Sequence, residues 1–168
     1  RAQVNDHVAL MQSTFGVTPT FFRNTELTYD NRLADWLKAD GRFRGVCCEG
    51  VDRLLGDGRS PNYVYGPPGT LAAGGKTSLG VLLKNYRLSD DVAFRFSDRG
   101  WSEWPLRAET FAGWLNHING DGHLCNLFMD YETFGEHQWA ETGIFPFLEK
   151  LPEAVFDANP GQNEFVTC

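Results

Sequence analysis

Acidic residues recur at matching places along this chain. Three apolar runs each end in carboxylates: Arg23-Asn-Thr-Glu26 after the first, Glu49-Gly-Val-Asp52 after the second, and Asp130-Tyr-Glu132 with Gly135-Glu-His-Gln138 after the last. In α/β architectures, active sites collect where strands end and the following loops begin, so these residues are the ones to read for chemistry. A single acid there is most simply a helix cap or a surface charge. Three strand ends opening toward one rim resist that explanation. Two carboxyl groups facing one site are what cleavage of a glycosidic bond requires, one as nucleophile or base and the other as a protonated acid. Glu49 and Asp52 read as rim contacts or as plain surface charge. Asp130, Glu132, Glu136 and His137 form a rival metal-ligand set, but His137 lies in a loop with Gly135 and reads better as a surface or substrate-contacting group. No metal or other cofactor is expected. A phosphate-binding loop is excluded at Gly66-Pro-Pro-Gly-Thr70 and Gly75-Lys-Thr77, because Thr70 stands where the motif needs glycine.

The elements that must carry these loops alternate in type. Val4, Val8 and Met11 recur at helical spacing near the start. Residues 17–22 and 43–48 read as strands, and 31–39 as a helix closed by Gly41. Residues 51–55 form a short helical turn, and 62–65 a third extended run ahead of the Gly-Pro-Pro-Gly turn. A strand is expected at 82–86, then a helix capped by Ser89 and running to Phe96. Residues 108–118 form an amphipathic helix with Phe111, Trp114, Leu115 and Ile118 on one face. Residues 124–129 read as the clearest strand, buried on both faces, and a last helix begins at Thr142 and is closed by Pro152. Strands alternating with helices argue an α/β fold, with parallel strands and crossover helices. Whether such a sheet closes into a barrel or stays open is not set by this pattern.

Composition bounds the possibilities. A chain of 168 residues with 42% hydrophobic and 22% charged residues is an ordinary globular domain. No apolar run approaches the 18 or so residues of a membrane span. A net charge of −7, with lysines and arginines scattered singly, argues against nucleic acid and anionic membrane partners. Cys47 and Cys48 are adjacent, Cys125 lies in another apolar run and Cys168 is terminal, so no Cys-x-x-Cys pair offers zinc a spacing. Free thiols point to a reducing compartment, the cytoplasm. Aromatics reach 14%, and Trp101, Trp104, Tyr131 and Trp139 serve either as core or as stacking faces for sugar rings.

Two long segments carry a family resemblance. Arg23-Asn-Thr-Glu-Leu-Thr-Tyr29 and Met129-Asp-Tyr-Glu-Thr-Phe-Gly-Glu-His-Gln-Trp139 resemble glycoside hydrolase family 57, in its α-amylase branch. Arg59-Ser-Pro-Asn-Tyr-Val-Tyr65 and Asn85-Tyr-Arg-Leu-Ser-Asp-Asp-Val-Ala-Phe-Arg-Phe-Ser97 are similar to that branch as well. The resemblance runs through nearly the whole chain in consistent order. It implies an incomplete (β/α)7 barrel, retaining chemistry and α-glucan substrates of the starch and glycogen type. Glu26 matches the nucleophile and Asp130 the general acid/base. Arg23, Tyr131, Glu132, His137 and Trp139 are the accompanying substrate contacts, with Arg23 placed to pair with Glu26 and Glu132 to support Asp130 or hold a sugar hydroxyl. A 4-α-glucanotransferase and a non-catalytic glucan-binding protein are the alternatives, since the first shares the covalent intermediate and the second keeps only the barrel.

The resemblance also shows departures. The early strand with a His-Gln-Pro motif is missing, and so is the helical region that follows the barrel. Residues 1–168 are therefore expected to be the later strands of a catalytic barrel, cut from a longer protein. Residues 70–80 are longer and richer in Gly and Ala than the family pattern, which suggests a local insertion.

Overall fold

The protein, seen here as a computed structural model, is described over residues 1–69 and 78–168. It divides into two compact units, Arg1–Cys48 with Tyr65–Leu82, and Glu49–Val64 with Leu83–Cys168. The supposed insertion, and with it Gly75-Lys-Thr77, falls mostly outside the described residues.

The first unit begins with helix α1, Ala2–Phe15, which buries none of its side chains. Strand β1, Phe21–Arg23, pairs in parallel with β2, Gly45–Cys48, with Phe21 opposite Gly45 and Arg23 opposite Cys47. Strand β3, Gly80–Leu83, completes a sheet ordered β1-β2-β3. Parallel neighbours need a crossover, and helix α2, Asn31–Asp40, supplies it. Asp30 starts that helix by accepting the Leu33 N–H at 2.8 Å, and Gly41 ends it at φ 76, where a side chain would be strained. Ala34 and Leu37 of α2 are buried with Val46 of β2 and Leu79. Phe22 meets Trp36 and Phe43 edge-on, with centroids 6.0 and 5.5 Å apart. Each fully buried aliphatic or aromatic side chain here is worth roughly 1.5–3 kcal/mol. Gly45 admits no side chain, because a Cβ would run into the Phe21 ring.

The second unit holds α3, Asp52–Leu55, α4, Tyr86–Ala93, α5, Ala108–Asn116, and α6, Ile144–Ala158. Its core joins Val92 and Phe96 to Phe111, Ala112, Ile144, Phe147, Leu151 and Val155. Helices α5 and α6 pack on each other, with Phe147 edge-on to Phe111 at 5.8 Å and to Phe96 at 5.0 Å. Trp101, one of the four aromatics read as core or stacking faces, packs against this core and lies 6.1 Å from Trp114. Trp104 is exposed, with the Arg99 guanidinium over its ring at 5.6 Å.

Five expectations need correction. Residues 82–86 are not the strand: it runs Gly80–Leu83, and Asn85 caps α4 by accepting the Leu88 N–H at 3.1 Å. Ser89 is therefore an interior helix residue, fully buried, whose hydroxyl accepts the Phe128 N–H at 3.2 Å. Residues 124–129 are half-buried and, among the described residues, make one parallel bridge, Asn126 with Lys84. The neighbouring backbone turns into α4 at Asn85. Residues 62–65, expected as an extended run, begin in a turn and, among the described residues, make one antiparallel bridge, Tyr65 with Val81. Pro152 lies inside α6 instead of ending it. A helix-interior proline costs about 3 kcal/mol, and the buried Leu151, Ala154 and Val155 around it offset that cost.

Candidate active site

The first acidic loop leaves β1 at the exposed Arg23 and closes on itself at once. The Leu27 N–H donates to the Asn24 carbonyl and the Thr28 N–H to the Thr25 carbonyl, both at 3.1 Å. The Asn24 amide adds a third clasp to the Thr28 carbonyl at 3.3 Å. Within these overlapping turns Glu26 has φ 54 and ψ 26, and Leu27 has φ 53. Two consecutive residues with side chains in the left-handed region are rare, and such strain clusters at functional sites. The Leu27 side chain is buried and pins the turn, while Glu26 faces solvent. Tyr29 follows, its phenol pushed up by burial and then by the nearby Cys48, Asp35 and Asp30. Asp30 is held below the usual carboxylate range, chiefly by the Leu33 N–H and further by Arg32.

The second acidic loop is built in the other unit by buried anchors beneath exposed functional groups. Asp130 precedes a 3-10 turn, Tyr131–Thr133. The Glu132 carbonyl accepts the N–H groups of Glu136 and His137 at 3.2 and 2.9 Å, and the Gln138 N–H donates to Thr133 at 2.9 Å. Gly135, at φ 116, makes the reversal possible, and its N–H returns to the Gln138 carbonyl at 2.9 Å. Thr133 and Gln138 are each 2% exposed, whereas Asp130, Tyr131, Glu132, Glu136, His137 and Trp139 all face solvent. Tyr131 is 96% and Trp139 63% exposed, well beyond what core packing would leave. The Trp139 indole N–H donates to the Glu136 carbonyl, and the Thr142 hydroxyl to the Trp139 carbonyl at 2.7 Å, which fixes where that ring stands.

Sequence reasoning passed over Gln138. Its Nε2 donates to the Ala93 carbonyl at the end of α4, 2.9 Å away, while its Oε1 has no hydrogen-bond partner among the described residues. The signal available was a polar amide between apolar-flanked turns, which looks the same as a surface residue until its burial is known.

The structure thus gathers five of the seven residues, Asp130, Tyr131, Glu132, His137 and Trp139, on one loop of the second unit. Glu26 and Arg23 stand on one loop of the first. Asp130, Glu132, Glu136 and His137 do not form a metal-binding group, and no set of three or more His, Cys, Asp or Glu side chains suited to a metal occurs among the described residues. Glu49 is tied down, accepting the Gly50 N–H at 3.1 Å and lying 3.7 Å from the Lys84 ammonium, which is also 3.6 Å from Asp90. Asp52 pairs with Arg87 at 2.6 Å. Among the described residues no helix is long and apolar enough to cross a membrane.

The α/β scaffold thus presents solvent-facing carboxylates and exposed aromatic rings on its loops. The model of the family described as "Glycosyl hydrolase family 57" matches residues 1–168, and the chain belongs to that family. A protein of Methanocaldococcus jannaschii named "Putative alpha-amylase" is 47% identical over 146 residues, which cover 87% of this chain and 29% of that relative. The chain therefore spans less than a third of the relative's length. No solved structure matches the chain.

Proposed function

We propose that this chain supplies the catalytic residues of a retaining glycosidase acting on α-glucans, as part of an incomplete (β/α)7 barrel. The observation that carries the reading is Glu26, held in a left-handed backbone where β1 ends on a chain of this family. Glu26 attacks the anomeric carbon as the glycosidic C–O bond breaks, and Asp130 gives its proton to the leaving oxygen. Asp130 then takes a proton from water, whose oxygen displaces Glu26 and frees the sugar with retained configuration. Such a mechanism requires the two carboxyl groups to lie roughly 5 Å apart. Tyr131 and Trp139 stack on sugar faces, while Arg23, Glu132 and His137 hold hydroxyls or orient the two acids. Water is the acceptor in this reading, in line with the relative's printed name; a sugar hydroxyl in its place would make the enzyme a 4-α-glucanotransferase.

The test uses the full-length protein that contains this chain. Glu26→Gln and Asp130→Asn should each abolish reducing-sugar release from starch while binding of maltoheptaose persists. Unchanged release in either variant refutes the assignment.

A further inference from the structure

The second unit contains a polar cleft of about 290 Å³ that none of the residues proposed for catalysis lines. That volume is close to the lower end of small-molecule pockets, roughly 300 Å³, and suits a single ring rather than a nucleotide. Its lining brings together Asp52, Arg59, Asn62, Asn85, Tyr86 and Arg87. These come from the segment around α3 and from the start of α4, two stretches far apart in sequence.

Asn62 forms the fixed part of the cleft. It is 9% exposed, its Oδ1 accepts from Asn85 Nδ2 at 3.0 Å, and its Nδ2 donates to no described residue. That donor opens onto the cleft and stays within reach of solvent or a ligand. Its position is not adjustable. The Asn62 carbonyl accepts the N–H groups of His123 and Leu124 at 2.8 and 3.2 Å, and Gly122 presses so close to Asn62 that a side chain there would collide. Asn85 is fully committed, through Asn62 on one side and the cap of α4 on the other.

The charged groups say which chemistry fits. Arg87 lies 2.6 Å from Asp52 Oδ2, the Tyr86 hydroxyl donates to the same oxygen at 3.4 Å, and Arg87 Nε donates to Tyr86 Oη at 3.4 Å. That guanidinium is already neutralised, and an incoming phosphate would meet the Asp52 carboxylate. Asp52 Oδ1 still accepts, and Arg59 uses one donor on the Leu55 carbonyl at 3.4 Å and offers the rest. Donors and acceptors side by side suit hydroxyl groups, each of which does both. Pro61 and the half-buried Tyr86 ring give apolar faces for the C–H side of a pyranose. A neutral ligand also meets no penalty from the chain's net charge of −7.

We propose that this cleft binds one neutral glucosyl unit of an α-glucan, as a subsite additional to the catalytic loops; the proposal rests on the glycosidase reading above. Arg59 and Asn62 are its hydrogen-bond donors, Asp52 its acceptor, and Tyr86 with Pro61 its stacking wall.

The experiment titrates maltoheptaose calorimetrically into the full-length protein carrying Glu26→Gln, so that nothing is consumed. Arg59→Ala, at an exposed position, should weaken binding about tenfold, the scale of one hydrogen bond to a charged group. Asn62→Ser should do the same if its thermal melt matches the parent's. Unchanged affinity in Arg59→Ala while maltoheptaose still binds overturns the subsite and leaves the catalytic reading standing. Failure of the Glu26→Gln protein to bind maltoheptaose at all counts against both. Inorganic phosphate binding that Arg59→Ala abolishes would overturn the neutral-sugar assignment.

Discussion

Replacing Glu26 by glycine should yield a protein that is more stable than the parent and inactive. Glu26 sits at φ 54 and ψ 26, where an L side chain costs roughly 1–2 kcal/mol. Glycine avoids that cost, although its extra freedom in the unfolded chain offsets about 0.5–1 kcal/mol of the gain. The Glu26 side chain is exposed and no hydrogen bond of the turn uses it, since the clasps join the backbones of Asn24, Thr25, Leu27 and Thr28 and the Asn24 amide. The net expectation is a gain of about 0.5–1 kcal/mol for Glu26→Gly over Glu26→Ala, with Ala near the parent. Leu27 provides the contrast. Its φ of 53 is just as unfavourable, but its side chain is 7% exposed, and removing a buried leucine costs about 2–5 kcal/mol. Leu27→Gly should therefore destabilise despite relieving the same backbone. The assay is denaturant unfolding of the three variants in the full-length protein at unchanged m-value, alongside reducing-sugar release from starch. Glu26→Gly no more stable than Glu26→Ala would refute the strain argument, and retained cleavage in Glu26→Gly would remove Glu26 as nucleophile.

Gln138→Ala should strip the Ala93 carbonyl of its partner and cost roughly 1–3 kcal/mol; hydrogen exchange should then quicken across residues 130–139, and an unchanged exchange pattern there would show that the loop is held otherwise. Asp91 has its carboxyl pushed up, mainly by burial, against the opposing pull of Arg95 at 2.6 Å. A raised folded value means that the native state holds the proton longer than the unfolded chain, so Asp91 contributes most stability below about pH 4 and loses it as pH rises through the folded value. Asp91→Asn should flatten that part of the stability curve, and a parallel pH dependence in the two proteins would contradict it. The half-buried Cys125 thiol is pushed up to about 12 by burial, whereas Cys168 is exposed; at pH 8 iodoacetamide should label Cys168 in the native protein well ahead of Cys125, as mass spectrometry of the two peptides would show.

Where a signal is local, the sequence was legible. Asp30 and Gly41 bracket α2 because a cap and a left-handed stop depend only on neighbouring residues. The sequence points to Ser89 as the start of α4, whereas Asn85 is the residue that caps it, and both side chains can accept an N–H. What separates them is remote: Ser89 turns its hydroxyl to Phe128, thirty-nine residues on. Residues 124–129 are apolar enough for a buried strand, yet a strand exists only while its neighbour stays extended, and that neighbour turns into α4 at Asn85. Pro152 marks a helix end by every local rule, and only the apolar face packed on α5 shows why α6 continues through it.

The same division explains the site. Exposed rings such as Tyr131 and Trp139 are positioned little by packing, being 96% and 63% exposed. Their placement has to come from the backbone, and the backbone of residues 130–139 is fixed by bonds that Glu132, Thr133, Gly135, Glu136, His137 and Gln138 make among themselves. Most of the motif's side chains then either face solvent or, like Thr133 and Gln138, are buried as anchors, while Met129 and Phe134 pack against the core. That is why the segment reads as one uninterrupted motif of eleven residues, while the amide that anchors it, Gln138, is indistinguishable in sequence from the residues it serves. A loop held this way tolerates change at its exposed groups without unfolding. The consequence is that Asp130→Asn and Gln138→Ala should fail differently: the first with a native exchange pattern and no cleavage, the second with a loosened loop.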